Sequence, residues 1–240
     1  MRKLEKRLIR NIVFMFIIIF MSSLRLSANE CIQDKKYIYL TFDDGPSEYT
    51  EELLDILDKY NIKATFFMLK DEMMRYPESV KRILNEGHAV GVHGVTHEKS
   101  NFYKDQKTPL NEMNEANITL RNITGYSTQF IRTPYGSVPY LTKEQENNLR
   151  KEGYIIWDWN IDSKDWCYRN PSKSFNEVKR GITSCTSGTK VVLLHDIKFA
   201  CETMELIANW MNNSGYTSKV IDINLTPVRL INYKKIRTTK

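Results

Sequence analysis

Cysteine, histidine and long apolar runs are all scarce in this chain of 240 residues. Its four cysteines, Cys31, Cys167, Cys185 and Cys201, never fall at Cys-x-x-Cys spacing, which argues against a thiolate zinc knot. They leave open disulfides, in any of three full pairings, or free thiols packed as small core residues. The unbroken apolar run at residues 12–21 is short of the ~20 residues that a membrane span needs. No internal repeat or low-complexity tract is present. At 41% hydrophobic and 27% charged residues the composition is that of a globular protein, which excludes bulk disorder. A basic excess outside the N-terminus is also missing. Of the net charge of +6, residues 1–28 hold +5, with Arg2, Lys3, Lys6, Arg7, Arg10 and Arg25 against Glu5 alone. The remainder carries +1, so no general affinity for nucleic acid is expected.

That N-terminus has the layout of a secretory signal: a basic start, a short apolar core, and small residues leading to Ala28. Leu26 sits poorly three residues before a cut after Ala28, so an uncleaved membrane anchor over residues 8–24 is the alternative. Either reading exports the rest of the chain. The length suits one substantial domain. It is expected over residues 36–222, after a polar connector at 29–35 and before a short basic tail at 223–240 that is expected to be solvated.

Within the domain, strand and helix signals alternate. Apolar, β-branched and aromatic runs predict strands at 37–42, 64–69, 88–93, 130–132, 154–157, 191–194 and 218–223. Between them, helical spacing predicts a helix capped by Ser47 or Thr50 and running through Leu57. Further helices carry Val80, Ile83 and Leu84 up to a stop at Gly87, and span 109–123, 143–151 and 203–211. Repeated strand–helix units imply an α/β fold with a parallel sheet or barrel, whose sites gather at the carboxyl ends of the strands.

Chemistry-bearing residues collect at those ends. The first strand stops at Asp43-Asp44-Gly45-Pro46, two adjacent acids at a turn, which repel unless a metal ion on one of them separates their roles. The third ends at His93, with His97 four residues on, a spacing that would put two imidazoles on one face of a helical turn. With a nearby carboxylate they would make a two-His, one-Asp site suited to Zn²⁺ or a similar divalent metal. Arg132 ends another strand, where its fork of donors could pin a carboxylate, and Pro134-Tyr135-Gly136 could turn backbone N–H groups inward. The stretch from Trp157 to Trp166 mixes aromatics with acids, as a sugar face or a half-buried loop would require. The strand at 191–194 ends at His195-Asp196, where a carboxylate beside the histidine would fix its tautomer and raise its pKa.

Taken in order, Thr41-Phe42-Asp43-Asp44-Gly45-Pro46, His93-x-x-x-His97, Arg132-Thr133-Pro134-Tyr135-Gly136, Asp162-Ser163-Lys164-Asp165-Trp166 and Leu193-Leu194-His195-Asp196 resemble the five motifs of the polysaccharide deacetylase family. This is also called carbohydrate esterase family 4, or the NodB-homology domain. The resemblance implies a distorted, incomplete (β/α) barrel and metal-dependent removal of acetyl groups from sugars. By motif, it implies Asp44, His93 and His97 as metal ligands, Asp43 as general base and His195 as general acid. Arg132 would orient Asp43 and Asp165 would tune His195. Tyr135 would offer its backbone N–H to the oxyanion, and Trp166 and Leu193 would line the slot for the acetyl methyl. Two positions depart from the pattern. Gly94 follows His93 where the family more often has Ser or Thr, a hydroxyl that could brace the loop. Lys198 stands where another histidine is frequent.

The function expected from these residues is an exported N-deacetylase acting on N-acetylglucosamine-type residues of peptidoglycan or a related polysaccharide. Zn²⁺ is the expected metal, with Co²⁺ or another divalent ion as substitutes, and the expected state is a monomer. The alternatives are an O-deacetylase of acetylated xylan, a chitooligosaccharide deacetylase, and a wall-binding module without turnover.

Overall fold

The structure, a computed structural model, describes residues 36–230. The expected signal or anchor over 1–28, the connector at 29–35 and Cys31 lie outside the described residues, as does the basic end of the tail. No helix among the described residues is long and apolar enough to cross a membrane.

Eight strands among the described residues form one sheet: β1 (Lys36–Asp43), β2 (Thr65–Met68), β3 (Ala89–Val92), β4 (Phe130–Ile131), β5 (Ile155–Ile156), β6 (Ile161–Asp162), β7 (Val191–His195) and β8 (Tyr216–Ser218). Their spatial order is β5-β4-β3-β2-β1-β7-β6, with β8 paired to the start of β1. Every pairing is parallel. The end strands β5 and β6 do not pair with each other, so the sheet curves into an open half-barrel rather than closing.

Among the described residues nine helices connect the strands: α1 (Thr50–Lys59), α2 (Lys70–Arg75), α3 (Pro77–Asn85), α4 (Lys99–Phe102), α5 (Thr108–Thr124), α6 (Lys143–Lys151), α7 (Asp165–Tyr168), α8 (Pro171–Ser184) and α9 (Ala200–Ser214).

The period of two along a strand divides the core in two. Ile38, Leu40 and Phe42 of β1, Phe66 and Met68 of β2, Val90 and Val92 of β3, and Val192 and Leu194 of β7 face the helices and form the larger cluster. Tyr39, Phe67 and Val191 face the other way and pack with Trp157 and Ile221 inside the half-barrel. A strand covered on both faces reads as continuously apolar, which is how β1, β2 and β7 read in the sequence. Gly91 on β3 falls on the inner face, where an added Cβ would lie 2.4 Å from the Phe67 ring. Glycine is therefore required by close packing there.

The inner parity carries straight into the site. Thr41 and Asp43 continue the inner row of β1, and Asp43 pairs in register with His195 of β7. His93 and Arg132 each follow the last outward residue of β3 and β4, Val92 and Ile131, which are themselves register partners. Four chemical side chains thus arrive at the carboxyl ends of four strands with the same orientation.

Several elements differ from the sequence expectation. Neither Ser47 nor Thr50 caps α1, whose N-cap is Tyr49 with no side-chain bond. Both hydroxyls donate instead to Asp196, at 2.7 and 2.5 Å. The 14-residue helix α8 went unpredicted, although Asn170 caps it, Pro171 opens it, and Val178 and Ile182 lie buried on one face. The last strand is β8 at Tyr216–Ser218, two residues ahead of the predicted 218–223.

The chain does not leave the domain at 222. Leu225 and Val228 pack on the inner cluster. The Val228 carbonyl accepts from the Asp158 N–H at 2.9 Å, and Arg229 Nε and the Leu230 N–H donate to Asp158 Oδ2 at 3.1 and 3.0 Å. Cys167 is exposed, Cys185 half-buried and Cys201 buried, and none of the three is bonded to another among the described residues.

Candidate active site

The strand ends open onto a cleft of about 850 Å³ lined by Asp43, Asp44, His93, His97, Tyr135, Trp166, Leu193 and His195, among others. That volume is ample for one sugar ring with its substituents.

Asp43 and Asp44 reach the same cleft because Asp44 breaks the strand's alternation, with φ at 74° in the left-handed region. Asp43 is 3% exposed and receives Arg132 Nη1 on Oδ1 at 2.8 Å. Arg132 is fully buried, and its other hydrogen bonds go to Thr41 Oγ1 at 2.7 Å and to the carbonyls of Trp157 and Asp158, each at 3.1 Å. Its guanidinium also lies 4.3 Å from the Phe67 ring centroid. With all three nitrogens of the fork bonded, the pair has one geometry.

Asp44 Oδ1 lies 3.3 Å from Nε2 of His93 and 3.3 Å from Nε2 of His97. This oxygen is buried and accepts no hydrogen bond. Burial alone would raise the Asp44 pKa, but the close approach and charge of His93, with the charges of His97 and His195, hold it well below the usual carboxylate range. His93 Nδ1 lies 2.7 Å from the Arg132 carbonyl and donates to it, which leaves Nε2 free to act as a ligand.

The convergence of His93 and His97 is real, but the helical turn predicted for it is absent. Residues 93–98 form a loop with Gly94 at φ 99° and His97 at φ 45°, and it is this double left-handed bend that returns the second imidazole to the first. The departure at Gly94 follows from the same bend. A Cβ there would be strained by its φ and would lie 3.0 Å from the Phe102 ring.

The three donor atoms of Asp44, His93 and His97 lie within 4.8 Å of one another, the only such group among the described residues. Two ligands about 2.1 Å from one tetrahedral ion stand about 3.4 Å apart. The two 3.3 Å separations match that spacing, and the orphaned carboxylate oxygen wants a positive partner. One oxygen and two imidazole nitrogens are a donor set for Zn²⁺ or a similar divalent ion.

Across the cleft, His195 Nδ1 donates to Asp165 Oδ1 at 2.7 Å, and its own N–H donates to Asp165 Oδ2 at 2.8 Å. Burial would lower the His195 pKa. The hydrogen bond and charge of Asp165, with Asp43 and Asp44 beyond, outweigh it and raise the value to about 9. The neighbouring Asp196, suggested by adjacency in sequence, is not the partner. Its side chain alternates to the other face and binds Ser47 and Thr50.

Tyr135 sits in the left-handed region at φ 63°, and its hydroxyl donates to the His97 carbonyl at 2.9 Å, tying the turn to the ligand loop. Its N–H donates to no group among the described residues. Trp166, 58% exposed, and Leu193, 3% exposed, stand as neighbouring walls beside His195. All ten residues singled out in the sequence meet in this cleft or directly behind it. Tyr140, Arg169 and Phe199 also line it and were not foreseen. Each lies beyond the end of a motif, where only the loop's path brings it back.

The sequence model of the family described as polysaccharide deacetylase matches residues 32–154. The Bacillus subtilis protein YheN, named for the same family, is 45% identical over 196 residues, covering 80% of this chain and 70% of its own length. A peptidoglycan-N-acetylglucosamine deacetylase of Bacillus cereus is 40% identical over 168 residues, 69% of this chain, and the chain spans 61% of that relative. Among solved structures, the polysaccharide deacetylase Bc1974 from Bacillus cereus shares the half-barrel. Its TM-score is 0.75 at 36% identity, over 81% of this chain and 97% of that one. A match across half the sequence, with a fold shared at this identity, places the chain in the polysaccharide deacetylase family of enzymes.

Proposed function

We propose that the chain is an exported, metal-dependent N-deacetylase that hydrolyses the acetamido group of N-acetylglucosamine-type residues in peptidoglycan or a related wall polysaccharide. The observation that carries this reading is the pairing of Asp43 with His195 across β1 and β7, beside the Asp44, His93 and His97 donor set. One proton acceptor and one proton donor flank a place for a cation, as amide hydrolysis requires. Similarity to the Bacillus cereus peptidoglycan-N-acetylglucosamine deacetylase supports the substrate class. The basic and apolar N-terminus supports export to the wall.

A divalent ion held by Asp44, His93 and His97 would make a water acidic and polarise the acetyl carbonyl. The chain's own groups do the rest. Asp43, held by Arg132, takes the proton of the attacking water as oxygen adds to the acetyl carbon. The Tyr135 N–H donates to the oxygen that becomes negative. Trp166 and Leu193 enclose the methyl. When the C–N bond breaks, the amine leaves only if protonated, and His195 donates from Nε2 while Asp165 steadies the ring through Nδ1. Acetate and a free amino sugar are the products.

The test is acetate release by the purified chain, with and without chelator, from peptidoglycan, chitin oligomers and acetylated xylan. Release from peptidoglycan that chelator abolishes and divalent metal restores is expected. Preference for acetylxylan or short chitin oligomers would shift the substrate, and metal-loaded protein that releases nothing from any of them would favour a wall-binding module.

A further inference from the structure

The loop that carries His93 and His97 has no regular structure of its own, yet three of its groups are anchored to one side chain. Glu112, in the second turn of α5, is 7% exposed. Its Oε2 accepts from the Val95 N–H at 2.9 Å and the Thr96 N–H at 3.0 Å, and its Oε1 accepts from Thr96 Oγ1 at 2.9 Å. No cation pairs with it among the described residues. A buried carboxylate without a counter-ion is held only by its hydrogen bonds, and all three come from the loop between the two histidines.

We infer that Glu112 is the positioning residue of the ligand loop, setting the affinity of the Asp44, His93 and His97 site for its cation by fixing the backbone between the two imidazoles. This rests on the metal reading proposed above. The loop needs such a brace because Gly94 and His97 both occupy left-handed φ, so the chain has no ladder or helix to hold the bend. Lys70 N–H holds the Gly94 carbonyl at 3.0 Å and Tyr135 holds the His97 carbonyl, but both grip the ends. Among the described residues, Glu112 alone grips the middle. A Cβ on Gly94 would lie 3.2 Å from Glu112 Oε2, so carboxylate and glycine fit as a pair.

Three variants of the full chain separate reach from charge. Glu112→Ala removes the brace. Glu112→Asp keeps the charge but withdraws the carboxylate by about 1.5 Å, out of hydrogen-bond range. Glu112→Gln loses the charge, while its Oε1 still accepts both N–H groups and its amide can donate to Thr96 Oγ1. Zinc affinity is read by competition with a chromophoric chelator, on protein whose circular dichroism matches the unmodified chain. The expected result is a loss of about 10–100-fold for Glu112→Ala and Glu112→Asp, with Glu112→Gln close to the unmodified chain. Activity of Glu112→Asp should return at high zinc, which a general folding defect would not allow. If Glu112→Ala fails to fold, Glu112→Asp carries the comparison. Unchanged affinity in the folded variants overturns the brace alone. A chain that binds no zinc before any substitution overturns the metal reading and the brace together.

Discussion

Asp43 and His195 stand opposite each other at the carboxyl ends of adjacent parallel strands, and each is held from behind by one side chain of opposite charge. Arg132 reaches Asp43 at 2.8 Å, and Asp165 reaches His195 at 2.7 Å. The two pairs face one cleft with opposite polarity, so removing either front group should stop turnover in a different way.

Asp43→Asn should lower kcat by about 10²–10⁴-fold, because an amide cannot take a proton from water. It should leave bound metal unchanged, since Asp43 is not in the donor set. Single-turnover acetate release and metal content of the same sample check both halves. Activity near that of the unmodified chain would remove Asp43 as the base.

The pH profile should show an alkaline limb. His195 has its pKa raised to about 9, so the proton-donating form predominates below that pH and is lost as pH rises through it. Asp165→Asn removes the hydrogen bond and charge that raise the value, and should move the limb toward the unperturbed histidine value of about 6.5. Profiles of kcat for the two proteins decide the point, and a limb that stays in place would release Asp165 from this role.

Arg132→Met should be felt first in stability. It leaves Asp43 buried without its cation, a change that costs about 3–5 kcal/mol when a buried pair is broken from one side. Urea unfolding midpoints report it. Arg132→Lys should not rescue, because one ammonium cannot reach Asp43, Thr41 and two carbonyls from one point.

Ending the chain after residue 222 should destabilise it by at least about 2 kcal/mol, since hydrogen bonds to a charged group are among the strong ones. Asp158 is fully buried, and its carboxylate would keep only its bonds to Ser137, whose N–H and hydroxyl donate at 2.9 and 2.5 Å. Ser137 follows the Tyr135 turn, so kcat should fall with stability. A truncated chain that melts and turns over like the full one would mean that the tail is a solvated terminus after all.

What the sequence made legible was the strand ends. Apolar runs that stop at acids, histidines or arginine mark the carboxyl edge of a parallel sheet, and residues 43, 93, 132 and 195 were all readable there. What it concealed was whatever depends on the path between elements. The His93 and His97 spacing fits a helix rule, yet Gly94 and the left-handed His97 build the same proximity from a loop. Adjacency points to Asp196, which lies on the opposite face in space; only the motif resemblance, not the spacing, names Asp165, thirty residues earlier, which bonds His195. Glu112 had no signal at all, because a lone glutamate in an amphipathic helix reads as a solvated charge until the helix is docked against the loop.

The shared inward parity of Asp43, His93, Arg132 and His195 has a consequence for how this protein tolerates change in length. A residue added to a connecting loop leaves each strand's facing untouched. A residue added or lost inside β1, β3, β4 or β7 turns that strand's terminal side chain to the helix side and drives its apolar row into the half-barrel. Insertion scanning across the gene should therefore show active clones clustered in the loops remote from residues 93–98 and the Tyr135 turn, and inactive ones within the four strands, tracing the sheet in the pattern of what survives.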